Sequence, residues 1–223
     1  MKNPTKRKIG VLGGAFNPPH FGHLLPAMEV IERVGLQQVL FLPSGEHPLK
    51  KNSIIAANHR YAMTKAAIDQ TPQFAISDLD VKRAGTSYSV DTLAELANRY
   101  PDHELAFMVG SDILGELHLW KSWHKILDNA HMLMMVRPGI DVDLNSPIVD
   151  KNVVEFLVNN RVENPEQLDA ASGGSYKFIQ IPVTPVDISA TKVRAMVKNG
   201  INYDKYTPAG VVKYIIEHRL YLT

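Results

Sequence analysis

Gly13-Gly14-Ala15-Phe16-Asn17-Pro18-Pro19-His20-Phe21-Gly22-His23 is the stretch on which the reading of this chain turns. Lys8 to Leu12, just before it, is a short apolar run of strand type. Just after it, Leu24, Ala27, Met28, Ile31 and Val34 recur at intervals of three and four, which predicts a helix with one apolar face. A strand therefore runs into a glycine turn and then into a helix whose first turn carries two histidines. Glycines let the backbone approach a ligand closely, and the free N–H groups of a helix start favour anions such as phosphate. His20 and His23, three apart, share one face there. Imidazoles can donate hydrogen bonds to phosphate oxygens and can be charged near neutral pH. Taken alone, the same residues also suit a tight turn beside a solvated helix face.

Ile188-Ser189-Ala190-Thr191-Lys192-Val193-Arg194 is the second informative stretch. Hydroxyls at a helix start, with a guanidinium one turn on, suit the phosphates of a nucleotide; a plain capped helix with an exposed arginine fits equally well. Gly110-Ser111-Asp112 follows a strand. A carboxylate at such a turn can accept from ribose hydroxyls or cap a helix. Trp120 and Trp123 suit either a pocket edge, where a ring stacks on an aromatic ligand, or the core.

In chain order, strand-like runs alternate with amphipathic helical patterns, which predicts an α/β fold with a mostly parallel sheet. Strands are expected at Gln37 to Leu42, Glu104 to Val109, His131 to Val136 and Tyr176 to Pro182, with one or two short ones in Phe74 to Val81. Helices are expected from His59 to Asp69, with Tyr61, Ala62, Ala66 and Ile68 apolar, and from Ser89, as the cap, to about Arg99. Others are expected around Trp120 to Leu127, near Asn152 to Asn160, from Ser189, and at the end with Thr207 as cap and Pro208 first. Several strands end in turn residues (Gly13, Pro43, Gly110, Arg137), and in open α/β sheets ligands gather beyond the carboxyl ends. There is no internal repeat and no low-complexity linker.

With 223 residues the chain can bury a substantial core, and a single domain over 1–223 is expected. A net charge of +1 without a basic block gives no footprint for nucleic acid. The absence of cysteine excludes disulfides and thiolate metal sites, and with no secretory or transmembrane run it favours a cytoplasmic protein without membrane contact.

The run Gly-Gly-x-Phe-x-Pro-x-His-x-Gly-His closely resembles the phosphate-binding signature of the His-x-Gly-His nucleotidyltransferases, in the branch that makes dinucleotide cofactors. The Ile188 to Arg194 segment resembles that family's second ATP element. Ser87-Tyr88-Ser89-Val90-Asp91-Thr92-Leu93, Gly110-Ser111-Asp112, Trp120 and Arg137-Pro138-Gly139 also match motifs of the nicotinate-nucleotide adenylyltransferases. The resemblance covers nearly the whole chain, through Leu220-Tyr221, and is weak between Asp141 and Gly174. It implies a Rossmann-like open sheet flanked by helices with a helical C-terminal segment, and transfer of AMP from ATP to nicotinate mononucleotide. It also implies that His20, His23 and Arg194 are catalytic. ATP would meet Gly13, Gly14, Ala15, Phe16, His20, His23, Ile188, Ser189, Thr191 and Arg194. The mononucleotide would meet Lys50, Tyr88, Ser89, Asp112, Trp120 and Arg137. Mg²⁺ would ride on the ATP phosphates, held mainly by substrate and water. Leu49 stands where the family often has histidine, which leaves the part of His47 open; homo-oligomerisation is open too.

Two rivals come from other classes. A nicotinamide-dependent oxidoreductase needs Gly-x-Gly-x-x-Gly, and Gly10, Gly13 and Gly14 are wrongly spaced. A silent nucleotide-binding protein would have lost the phosphate ligands, which are present. Closer rivals are adenylyltransferases for nicotinamide mononucleotide or phosphopantetheine.

Overall fold

The computed structural model describes residues 6–45, 55–136, 148–170 and 176–222. In chain order the elements are β1 (Arg7–Gly14), α1 (Phe21–Val34), β2 (Gln38–Pro43), α2 (Ala57–Ile68), β3 (Phe74–Ile76), α3 (Leu79–Lys82) and α4 (Ser89–Arg99). There follow β4 (His103–Gly110), three 3₁₀ turns between Ser111 and Asp128, β5 (Ala130–Val136), α5 (Lys151–Asn159), α6 (Glu166–Ala170), β6 (Phe178–Pro182), α7 (Ala190–Lys198) and α8 (Ala209–Glu217). The strands form one open sheet in the order β3-β2-β1-β4-β5-β6, all parallel and flanked by helices. Parallel strands covered on both faces need continuous apolar runs rather than alternating ones. β2 (QVLFLP) and β5 (AHMLMMV) are of that kind and are almost wholly buried.

The described residues fall into two compact units. The first comprises Met1–Leu12, Glu29–Val39 and Tyr88–Thr184. Here β1 pairs with β4 from Arg7↔His103 to Leu12↔Met108, and β4 with β5 from Leu105↔Ala130 to Gly110↔Met135. β5 pairs with β6 from Met132↔Phe178 to Val136↔Pro182. Val90, Leu93 and Leu96, spaced by three, are the buried side of α4, while Asp91 and Arg99 suit its opposite dipole ends. Four polar groups sit in this unit beside the sheet: Lys8 pairs with Asp169, and His131 Nε2 lies 3.5 Å from Glu104 Oε2.

The second unit comprises Gly13–Met28, Leu40–Ser87 and Pro185–Thr223. It holds the Gly13–His23 stretch, the end of β2, α2, β3, α3, α7 and α8. Ser44 N–H donates to Gly14 O, so the turns after β1 and β2 are tied to each other.

Element order follows the expectation with local corrections, and with the short helices α3 and α6 added to it. Phe74 to Val81 gives one strand and then the short α3, at whose start Ser77 Oγ accepts from Leu79 N–H at 3.2 Å. Trp120 to Leu127 is not an α-helix but 3₁₀ turns, interrupted by Ser122 in the left-handed region (φ 45°). Ser89 is the first residue of α4, not its cap; Tyr88 occupies that place and no side chain caps the end. Pro208 likewise takes the cap position of α8, and the Thr207 hydroxyl is buried without a hydrogen-bond partner among the described residues.

Candidate active site

β1 carries both Gly13 and Gly14, so the turn is made by the residues that follow, with Phe16 in the left-handed region (φ 45°) and its ring almost fully buried. α1 starts at Phe21, which places His20 on the residue before the helix and His23 in its first turn. Their rings stack with centroids 3.8 Å apart, and the Phe16 ring stands edge-on to His23 at 5.1 Å. Each ring is oriented by the backbone. Gly22 N–H donates to His20 Nδ1 (3.1 Å), and His20 N–H donates to His23 Nδ1 (3.2 Å). With Nδ1 occupied as an acceptor, the neutral ring must carry its hydrogen on Nε2. Gly22 has to be glycine for this packing, because a Cβ there would come within 2.9 Å of the His20 ring and 3.2 Å of Ile188 Cγ2.

Burial pulls the His20 pKa down to about 4; burial and the adjacent His20 ring pull that of His23 to about 3. At neutral pH both are uncharged. The charge that free imidazoles can carry is therefore absent here, because burial and the neighbouring ring both penalise it. Two neutral N–H donors remain.

Ser189 caps α7, its hydroxyl accepting from Lys192 N–H at 3.2 Å. Arg194, one turn on, donates through Nη2 to Thr191 Oγ1 (3.1 Å) and through Nη1 to Asn17 O (2.8 Å). The two sequence-predicted ATP elements are thus joined directly, with Ile188 against Gly22 as a second contact. Reading the sequence did not single out Asn17, Tyr221 or Arg60 for this region. Tyr221 donates its hydroxyl to Asn17 Oδ1 at 2.6 Å, and burial pushes the phenol pKa well above its ordinary value. Arg60 donates to Ala15 O at 3.0 Å. A signal for Arg60 was available: it stands three, four and seven residues before Met63, Thr64 and Ala67, the buried stripe of α2. Of the apolar positions expected in this helix, Ile68 is buried, and Tyr61, Ala62 and Ala66 are half-buried.

The cytidylyltransferase-like family model matches residues 11–196. A relative named "Probable nicotinate-nucleotide adenylyltransferase" in Hydrogenovibrio crunogenus is 35% identical over 97% of this chain and 99% of its own length. One of the same name in Herpetosiphon aurantiacus is 34% identical over 97% and 99%. The chain belongs to the nicotinate-nucleotide adenylyltransferase family. A solved Plasmodium falciparum nicotinic acid mononucleotide adenylyltransferase complexed with NaAD shares the fold, at TM-score 0.67 and 16% identity, with 96% of this chain and 97% of that one covered.

As a member of that family the chain is a nucleotidyltransferase, and of the remaining expected residues Tyr88, Ser89, Asp112 and Trp120 lie in the first unit. Tyr88 O accepts from Asp91 and Thr92 N–H groups (3.1 and 3.0 Å), and Ser89 opens α4. Lys121 Nζ lies 4.8 Å from the centre of the Tyr88 ring and pairs with Asp91 at 2.7 Å, so Tyr88 meets the residue that follows Trp120. Trp120 is half-buried, edge-on to Phe107 at 6.3 Å; Trp123 is half-buried too, edge-on to Phe156 at 5.2 Å. The two tryptophans, each suited by sequence to a pocket edge or to the core, do not differ in burial class. Asp112 is exposed, in the 3₁₀ turn after β4. Lys50 and Arg137, with His47 and Leu49, lie outside the described residues. Among the described residues no three His, Cys, Asp or Glu side chains gather to hold a metal ion, and no helix is long and apolar enough to cross a membrane.

Proposed function

We propose that this chain, acting over 1–223 as one nucleotidyltransferase domain in the cytoplasm, transfers AMP from ATP to nicotinate mononucleotide in NAD biosynthesis. An oxygen of the mononucleotide's phosphate attacks the α-phosphorus of ATP. The bond from that phosphorus to the β,γ-phosphates breaks, and nicotinate adenine dinucleotide and pyrophosphate leave. The attacking phosphate is already anionic, so no strong base is needed. Catalysis rests on alignment and on stabilising charge that moves toward the leaving pyrophosphate.

One observation carries the reading: His20 and His23 have both Nδ1 atoms filled by backbone N–H groups, and Arg194 is fixed to the same loop through Asn17 O. Two Nε2–H donors and a guanidinium therefore come pre-oriented, without entropy lost when phosphate arrives. Being neutral, the histidines are suited to donate hydrogen bonds and not to supply protons. Arg194 supplies fixed charge, with the Ser189 and Thr191 hydroxyls and the backbone of Gly13 to Phe16 beside it. Mg²⁺ would ride on the ATP phosphates, held mainly by substrate and water, and would supply charge neutralisation there. Tyr88, Ser89, Asp112 and Trp120, with Lys50 and Arg137, serve the mononucleotide. Ser89 and Val90 N–H groups at the start of α4 suit a carboxylate, which accepts at both oxygens, better than an amide, which also donates.

Pyrophosphate release measured with ATP, Mg²⁺ and each of nicotinate mononucleotide, nicotinamide mononucleotide and phosphopantetheine tests this. The expected result is a specificity constant for nicotinate mononucleotide at least about a hundredfold above that of the amide, the scale of an unpaired buried donor. Equal constants, or preference for another acceptor, would overturn the assignment.

A further inference from the structure

α2 brings one charge into its buried stripe. Arg60 is 2% exposed. Its Nη1 donates to Ala15 O (3.0 Å) and to Ser44 Oγ (3.2 Å), and its Nη2 donates to Gly45 O (3.2 Å). Its Nε is buried and donates to nothing among the described residues. All three acceptors are neutral, and no carboxylate among the described residues pairs with it. Taking an unpaired cation out of water is among the costliest arrangements in a fold. A neutral amide could hold one or two of these acceptors without that cost, whereas the guanidinium fork reaches all three.

The acceptors indicate what the fork does. Ala15 O and Asn17 O are alternate carbonyls of one loop, the first held by Arg60 and the second by Arg194. Both guanidiniums lie close enough to the Tyr221 phenol for their charges to act on it. In a trans peptide the N–H points opposite its carbonyl. Tying Ala15 O to Arg60 therefore turns the Phe16 N–H away from the guanidinium. The same fork fixes the loop to the Ser44–Gly45 turn, where a Cβ on residue 45 would collide with Asp80 O, so that turn has no room to shift.

We propose that Arg60 is a positioning residue for the phosphate loop: by holding Ala15 O to the Ser44–Gly45 turn it sets the direction in which the Phe16 N–H meets the phosphates of bound ATP. This rests on the reading of residues 13–23 as the ATP phosphate site. A purely structural arginine would support adenosine and ATP binding alike, whereas one serving phosphate separates them.

The test is calorimetric binding, without acceptor and hence without turnover, of ATP with Mg²⁺ and of adenosine to wild type, Arg60→Gln and Arg60→Lys, with thermal unfolding followed for each. Arg60→Gln is expected to weaken ATP binding about tenfold or more, the scale of a lost charged hydrogen bond, while adenosine affinity stays within about twofold. Arg60→Lys, which keeps the charge and loses the fork, recovers part of the ATP loss. Unchanged ATP affinity in Arg60→Gln, or equal losses for adenosine and ATP, overturns the proposal. Should the Gln variant fail to fold, the Lys variant decides: a severalfold loss for ATP alone supports it, and no loss or an equal loss for both ligands overturns it. Wild-type protein that binds neither ligand overturns the reading of the site, and this inference with it.

Discussion

Lowering the pH from about 7.5 to about 5 should destabilise this protein through His20, and the size of the effect follows from its burial. The ring has a pKa of about 4 in the folded chain against 6.5 when free. Between those values the unfolded state binds a proton that the folded state refuses. Stability is therefore complete above about pH 6.5, falls as pH drops through that value, and levels off below about pH 4, where both states are protonated. The full penalty is about 3 kcal/mol, of which about 2 kcal/mol is felt by pH 5. His23, lowered to about 3, acts in the same direction. Urea unfolding at a series of pH values, for wild type and His20→Asn, isolates the contribution, because asparagine does not titrate and every other group is common to both. Wild type should lose about 2 kcal/mol more than the variant across that interval. Parallel curves would mean that the folded ring takes up its proton as readily as the unfolded one, and the neutral-donor account of the pair would fail.

Two substitutions test the joins around Asn17. Arg194→Lys should lower kcat/KM for ATP by about tenfold or more with the acceptor's apparent KM little changed, because a point charge cannot hold Asn17 O and Thr191 Oγ1 together; steady-state kinetics with each substrate varied in turn checks it. Tyr221→Phe should cost about 1–3 kcal/mol in denaturant unfolding, since the buried Asn17 Oδ1 loses its donor.

The sequence by itself determined the order and kind of most elements, because that information is local. Apolar runs make buried parallel strands, and three- and four-residue spacing makes α1, α4, α5 and α7. It also brought forward His20, His23 and Arg194, whose side-chain chemistry and spacing are visible without a fold. Boundaries shifted where two neighbours compete for one role: Tyr88 and Ser89, or Thr207 and Pro208, at a helix start. The buried place of Arg60 in α2 was not legible, because its acceptors belong to the turns after β1 and β2.

Only the tertiary structure decided the electrostatics. Tyr221 meets Asn17 across 204 residues, and Arg194 meets it across 177; no periodicity reports such pairs. Whether an imidazole is charged depends on how much water surrounds it. That is fixed by Phe16, by the partner ring and by the segment at Ile188 packing over Gly22, not by the histidine or its near neighbours. A residue's chemistry is carried by its type, but its protonation and its partner are set by what the rest of the chain excludes from around it.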